Sequence, residues 1–182
     1  AGFLIRELPW KALTDEMVTY VIEEYGQKGY VAPRFWAYGP SQELPVQNLN
    51  NGLNTKVAAI LGVTATESEI TNMDKIVIRG RFFVPHEVGG ACIISDYLAD
   101  KIKANVGDCL DVYGLKLTVI GIFKSEILYQ IIDLDQEVIT PRDISIPLPP
   151  GMVATQVGQE VPHVSGEHVI LVPYEVARRS FL

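Results

Sequence analysis

The chain has 182 residues, 48% hydrophobic and 9% aromatic, which suits one domain or two small parts sharing a core and excludes a disordered chain. With 22 acidic and 15 basic side chains its formal charge is −7, a surface that repels phosphate backbones, so no nucleic acid is expected among its partners. No run reaches the roughly 20 apolar residues of a membrane-spanning helix, and the opening AGFLIRELPW lacks the basic and long apolar regions of a signal peptide.

Residues 13–28, LTDEMVTYVIEEYGQK, predict a helix with Thr14 as N-cap, Asp15 and Glu16 in its first turn, and an apolar stripe of Met17, Val21 and Tyr25 beside Val18 and Ile22. The aromatic YVAPRFWAYG reads as a strand, PSQELPVQNLNNGLN as a loop or a crossing between subdomains, and TKVAAILGVT as one apolar strand. KIVIRGRFF is a further strand, ending in Gly80-Arg81-Phe82-Phe83. GGACIIS is a short strand, after which Ser95 caps a helix, DYLADKIKAN, whose buried side is Leu98, Ala99 and Ile102. Val106-Gly107-Asp108 then turns the chain into a hairpin. Leu110 and Val112 share one face of its first strand, and Tyr113-Gly114 makes the turn. The second strand, through Leu115, Leu117 and Val119, is apolar on both faces and is expected to be central in its sheet. From Lys124 to Met152 the chain is broken by Pro141, Pro147, Pro149 and Pro150 and reads as an extended surface excursion. EHVILVPYEVARRSFL predicts a strand stopped by Pro173 and the start of a helix.

The usual signatures of chemistry are missing: no GxSxG, P-loop, GxGxxG or CxxC occurs. Ser95-Asp96 stands at a strand-to-helix junction where a nucleophile can sit, but an N-cap accounts for it. Among the histidines, His163 and His168 are five apart with Gly166 between them, which does not suit a helical metal pair; solvated loop positions are expected. Asp133, Asp135 and Glu137 imitate the start of an EF-hand loop. Val138, however, stands where that loop needs glycine, so a charged edge strand is the simpler account. Cys92 and Cys109 are read as two free thiols, because Cys109 alternates with Asp111 and Tyr113 whereas Cys92 alternates with Ile94. Trp10, Phe35, Trp36 and Tyr38 form an aromatic group that suits either a core or a partner contact, and they are the candidate partner-contact residues. No catalytic, cofactor-binding or metal-ligating residue is nominated, and no cofactor is expected.

Four pieces in order, ILGVTATESEI, IRGRFF, ACIISDYLADKIKANVGDCLDVYGLKLTVIGIF and HVILVPYEVARR, resemble the extracytoplasmic domain of MacB-like and FtsX-like ABC-transporter permeases. The matching positions are Gly62-Val63, Gly80 to Phe83, Ser95, Leu98-Ala99, Gly107-Asp108, Val119 to Gly121, and Pro173 with Ala177-Arg178. The resemblance implies a mixed α+β fold with few helices. It implies a βαβ subdomain of residues 1–55 and 150–182, and a smaller β-rich, barrel-like subdomain of residues 56–149 with one helix near 96–104 and the proline-rich excursion. It implies a place outside the cytoplasmic membrane, between the first two transmembrane helices of a permease from which this piece is excised. It implies a non-catalytic role: engaging a substrate or an adaptor protein and relaying motion driven by a cytoplasmic ATPase. The implied partners are that ATP-binding subunit or domain, a periplasmic adaptor and a second permease copy. The residues alone leave two other classes open, a secreted hydrolase using Ser95 or the acidic cluster, and a cytosolic β-barrel binding module.

Overall fold

The computed structural model describes residues 13–87, 89–133, 136–145 and 162–181. Thr14 accepts from Met17 N and opens helix α1, Asp15–Tyr25; strand β1, Phe35–Tyr38, follows. Then come β2 (Leu44–Asn48), β3 (Asn54–Val57), β4 (Ala59–Val63), α2 (Glu67–Thr71) and β5 (Val77–Gly80). The chain continues through β6 (Ala91–Ser95), α3 (Asp96–Ile102), β7 (Cys109–Val112), β8 (Leu115–Phe123) and α4 (Ser125–Leu128), and returns as β9 (Val169–Pro173) and α5 (Tyr174–Phe181).

One mixed sheet holds all of these strands in the order β1-β4-β9-β6-β8-β7-β2-β3, with β5 paired to β8. The pairs β4–β9 and β6–β8 are parallel and the others antiparallel. This is the expected α+β class with few helices. Every residue of β4, β6 and β9 is buried, and alternate side chains serve two cores. Ile60, Cys92, Ile94, Ile170 and Val172 join Leu98 and Ile102 of α3 and Ala177 of α5 on one face. Leu61, Ile93 and Leu171 join Met73, Phe82, Phe83 and Leu128 on the other. The helix and hairpin expectations hold at this level. Leu98, Ile102, Leu110, Val112, Leu117 and Val119 are all at most 1% exposed. The Tyr113-Gly114 turn has positive φ at both residues, 52° and 86°, as a two-residue hairpin of the right twist requires.

Three expectations need correction. The stretch read as a loop contains β2, in which Leu44, Val46 and Asn48 point inward and Pro45 and Gln47 outward. Pro45 is tolerated because the β2–β7 ladder ends at Val46↔Val112; beyond it Pro45 needs only its carbonyl, which accepts Tyr113 N at 2.9 Å. The single strand expected from TKVAAILGVT is split at Ala58 into β3 and β4. Helix α1 lies where expected but buries none of its residues.

The split at Ala58 shapes the sheet. β3 ends the strand order on one side and β4 stands second from the other end, yet one residue joins them. Consecutive Cα atoms are about 3.8 Å apart, so the sheet must curl until its two ends approach at Ala58, whose N–H donates to His168 O at 2.9 Å. Among the described residues no ladder closes the ring, so their sheet is curled but not a barrel. Strands from the two subdomains expected from the resemblance interleave in it: β1, β2 and β9 lie among β4, β6, β7 and β8.

The two cysteines flank β8, Cys92 opposite Val119 and Cys109 opposite Thr118. Two ladder spacings separate those strands, about 9.5 Å, beyond the reach of a disulfide. Both thiols are free; burial pushes that of Cys92 up.

Candidate functional site

Three of the four motif pieces, ILGVTATESEI, IRGRFF and HVILVPYEVARR, converge at the carboxyl ends of the parallel pair β4–β9, whose last register pair is Val63↔Pro173. Crevices beyond the carboxyl ends of parallel strands are where open α/β sheets commonly bind ligands. Here a cleft of about 500 Å³ is floored by Val31, Pro33, Val63, Phe83 and Pro173 and walled by Val18 and Ile22 of α1. Its rim carries Asp15, His86, Glu87, Glu175 and Arg178. Helix α5 sits close on β4 because Gly62 has no side chain: a Cβ there would lie 2.6 Å from Ala177 Cβ. That placement aims Arg178 across the cleft, where it pairs with Asp15 of α1 and reaches Glu175 at 3.4 Å. Opposite, Arg81 grips Glu87 through two hydrogen bonds of 2.7 and 2.8 Å and holds its carboxyl below the usual range. Glu87 also accepts Val84 N, shaping a turn in which His86 adopts φ 63°, uncommon for a side-chain-bearing residue. The cleft's charged groups therefore spend their capacity on one another; its apolar floor and the thinly packed α1 are what remain for contact.

A second cluster involves the aromatic candidates. Trp10 lies outside the described residues. Phe35, Trp36 and Tyr38 lie on β1, which ends the strand order, and each is half-buried. Phe35 packs on the α3–α5 core, and Trp36 and Tyr38 on the opposite one. The Tyr38 hydroxyl donates to Arg142 O at 3.0 Å, and burial pushes it above the usual tyrosine range. Gln42 Nε2 donates to the same carbonyl at 3.4 Å, and its Oε1 accepts Ser145 N at 2.7 Å. Trp36 meets the His163 ring edge-on, 6.3 Å between centroids. These residues hold a neck in which Arg142 and His163 are paired by an antiparallel bridge. The stretch from Lys124 to Met152 expected to run over the surface instead starts as helix α4 and buries Leu128, Ile139, Thr140 and Arg142; its part beyond Ser145 lies outside the described residues. His163 is thus buried rather than solvated, with its side chain 4% exposed.

The acidic residues are also committed. Arg34 Nε and Nη2 donate to the two oxygens of Glu67 at 2.8 and 2.9 Å, and Nη1 pairs with Asp133. Burial alone would lower the Arg34 pKa, but Glu67 and Asp133 outweigh it and raise it. Asp133 N also bonds Glu137 O beside an isolated Ile132↔Val138 bridge, so Ile132 and Val138 pair with each other rather than joining the sheet as an edge strand. Ser95 Oγ accepts Leu98 N at 3.0 Å and donates to Glu167 O at 2.8 Å, which uses its hydrogen in structure. Among the described residues no group of three or more His, Cys, Asp or Glu is placed to hold a metal, and no helix is long and apolar enough to cross a membrane. Sequence reasoning missed Arg34, Glu67, Arg142 and His163. Their hydrogen-bond partners lie up to 104 residues away, so spacing carried no signal; charges inside apolar stretches were the available hint.

Comparison with known proteins places this geometry. The extracellular domain of the noncanonic ABC-type transporter YknZ from Gram-positive bacteria is similar in structure, with TM-score 0.50 and 17% identity over 93% of this chain. The periplasmic region of MacB from Actinobacillus actinomycetemcomitans is similar too, with TM-score 0.52 and 9% identity over 89% of this chain. At these identities the likeness concerns the fold. The chain spans 66% and 57% of those two chains, less than two thirds of each. No curated protein matches. The MacB-like periplasmic core domain family matches residues 5–163, and the chain belongs to it: an extracytoplasmic domain of ABC-transporter permeases.

Proposed function

We propose that this domain is a non-catalytic relay. It engages a substrate or an adaptor protein outside the membrane and couples that contact to motion driven by a cytoplasmic ATP-binding partner, within a permease that pairs with a second copy. The observation that carries the reading is the arrangement of α1 and α5. They are the first and last described elements, they face each other across an apolar-floored cleft, and the Arg178–Asp15 ion pair tethers them. A helix with no buried residue shifts at small cost in packing, so α1 is suited to move relative to the sheet. The half-buried Phe35 on one face of edge strand β1, and Trp36 and Tyr38 on the other, serve as partner contacts, with Trp10 as a further contact in the sequence. The segments 1–55 and 150–182 are joined to 56–149 through the β1–β4, β4–β9, β6–β9 and β2–β7 ladders, so the sheet acts as one body and α1 is the element that moves against it.

The test is a reversible lock. Asp15→Cys with Arg178→Cys, in a Cys109→Ser background, is joined by a short reducible bis-maleimide in the whole permease reconstituted with its ATP-binding partner. The relay predicts that the ATPase rate falls several-fold on cross-linking and returns on reduction. An unchanged rate in the fully cross-linked protein contradicts it.

A further inference from the structure

We infer that the outer edge of β1 is a strand-addition site: it takes an extended, apolar segment of the protein that the domain engages, as one further strand of the sheet. The inference rests on the reading of Phe35, Trp36 and Tyr38 as partner contacts and says by what chemistry the contact is made. The side chains of β1 are largely committed. Phe35 packs on one core, Trp36 and Tyr38 on the other, Ala37 is 4% exposed, and the Tyr38 hydroxyl is bonded to Arg142 O. What β1 still offers is main chain. It pairs with β4 in unbroken antiparallel register from Phe35↔Gly62 to Tyr38↔Ala59, which engages the N–H and C=O groups of alternate residues. Those of the residues between point away from β4. Among the described residues, nothing beyond β4 bonds the main chain of Phe35–Tyr38.

The other two margins of the sheet are guarded. β3 carries Asn54, Thr55 and Lys56, and the chain leaving it bonds His168 O through Ala58 N. β5 is interrupted by a register shift between Val77 and Arg79, and its Gly80 stands at φ 78°. Lysine and bulges are the usual means by which an edge strand refuses a further strand. β1 has neither. Phe35 to Gln42, FWAYGPSQ, holds no charged residue, and Arg34 before it is engaged by Glu67 and Asp133. The chemistry of the edge names its occupant. Donors and acceptors alternating at the ladder spacing are matched by an extended main chain rather than by a compact ligand. Half-buried aromatics on both faces favour β-branched or aromatic side chains on both faces of the added strand. A second copy of the chain is the poorer occupant, because two bodies of formal charge −7 repel when brought edge to edge.

Amide hydrogen exchange of the 182-residue chain reads the site residue by residue. The probe is an acetylated, amidated hexapeptide of alternating threonine and valine. Its control is the same peptide N-methylated at every residue, which keeps the side chains and acceptors and removes the donors. With about nine tenths of the chain bound, the outward amides of Phe35–Tyr38 should exchange about tenfold more slowly, in an alternating pattern, while those of β3 and β5 keep their rates. The methylated peptide should slow none of them. The site is overturned by unchanged exchange at millimolar peptide, by equal slowing with the methylated control, or by slowing at β3 or β5 instead. Slowing at β1 that grows with the concentration of the chain alone, without peptide, gives the edge to a second copy and overturns the occupant. The measurement needs neither membrane nor ATP-binding partner, so its failure leaves the α1–α5 relay standing, and an unchanged ATPase rate on cross-linking leaves the β1 edge standing.

Discussion

Arg34 carries its charge to a place where water compensates it poorly. Its side chain is 15% exposed, and Glu67, the carboxylate it clasps in a two-pronged bond, is 0% exposed. The pair with Asp133 joins the approach to β1, helix α2 and the turn after α4, three elements that share little other contact. An ion pair of this kind adds little net stability over a well-packed apolar pair, but removing one partner strands the other. Arg34→Met should therefore destabilise the fold by about 3–5 kcal/mol, and the double change Arg34→Met with Glu67→Leu should recover most of that loss. Urea unfolding of the three variants checks it; a loss under about 1 kcal/mol in the single variant would show Glu67 finding water instead. Cys109 and Cys92 show the same scale of control. One β-register, read through β8, puts them on opposite faces and out of bonding range, as the alternation of their neighbours implied.

Among the elements, α3 and α4 are joined at their N-termini by Asp96. Its Oδ2 accepts Lys124 Nζ at 2.7 Å, and its Oδ1 accepts Ser125 Oγ at 2.7 Å and Ser125 N at 3.1 Å. Burial alone would raise the carboxyl pKa, but these bonds together outweigh it and hold it at about 2. An unfolded aspartate titrates near 3.9, so the folded value is depressed. The resulting stability is present above about pH 4 and lost as pH falls toward 2. After allowance for solvent screening, Asp96→Asn should be less stable than the parent by about 1 kcal/mol at pH 7, and the gap should close between pH 4 and 2. Denaturation at pH 7, 4 and 2.5 measures it, and a gap that stays constant would contradict the assignment. The elements also mark what was legible in the sequence. Strand β6, helix α3 and the β7–β8 hairpin declared themselves because capping, alternation and turn chemistry agreed within a few residues. β2 did not, because Pro45 and the asparagines around it resemble a loop until the end of the neighbouring ladder is known. The ion pairs and the neck were illegible for a different reason: they depend on which strands become neighbours, and that is settled by the curl at Ala58.

At the scale of the molecule, that curl brings distant segments to a common end. The β4–β9 pair, the turn after β5, and helices α1 and α5 meet around one cleft, while β1 and the excursion's neck lie along the sheet margin. Two cores on the two faces of the sheet fix the body, and α1, with no buried residue, stands outside them. The proposed relay requires the sheet to stay fixed while its margin moves, and it predicts that α1 and α5 change their separation when the transporter turns over. The direct measurement is a spin-label distance between Thr19 on α1 and Arg179 on α5, the latter 72% exposed, in the whole permease with Cys109→Ser. Recorded in a bilayer with the ATP-binding partner, the distance distribution should move by more than its own width between the nucleotide-free and the vanadate-trapped state. Superimposable distributions in the two states would contradict the account.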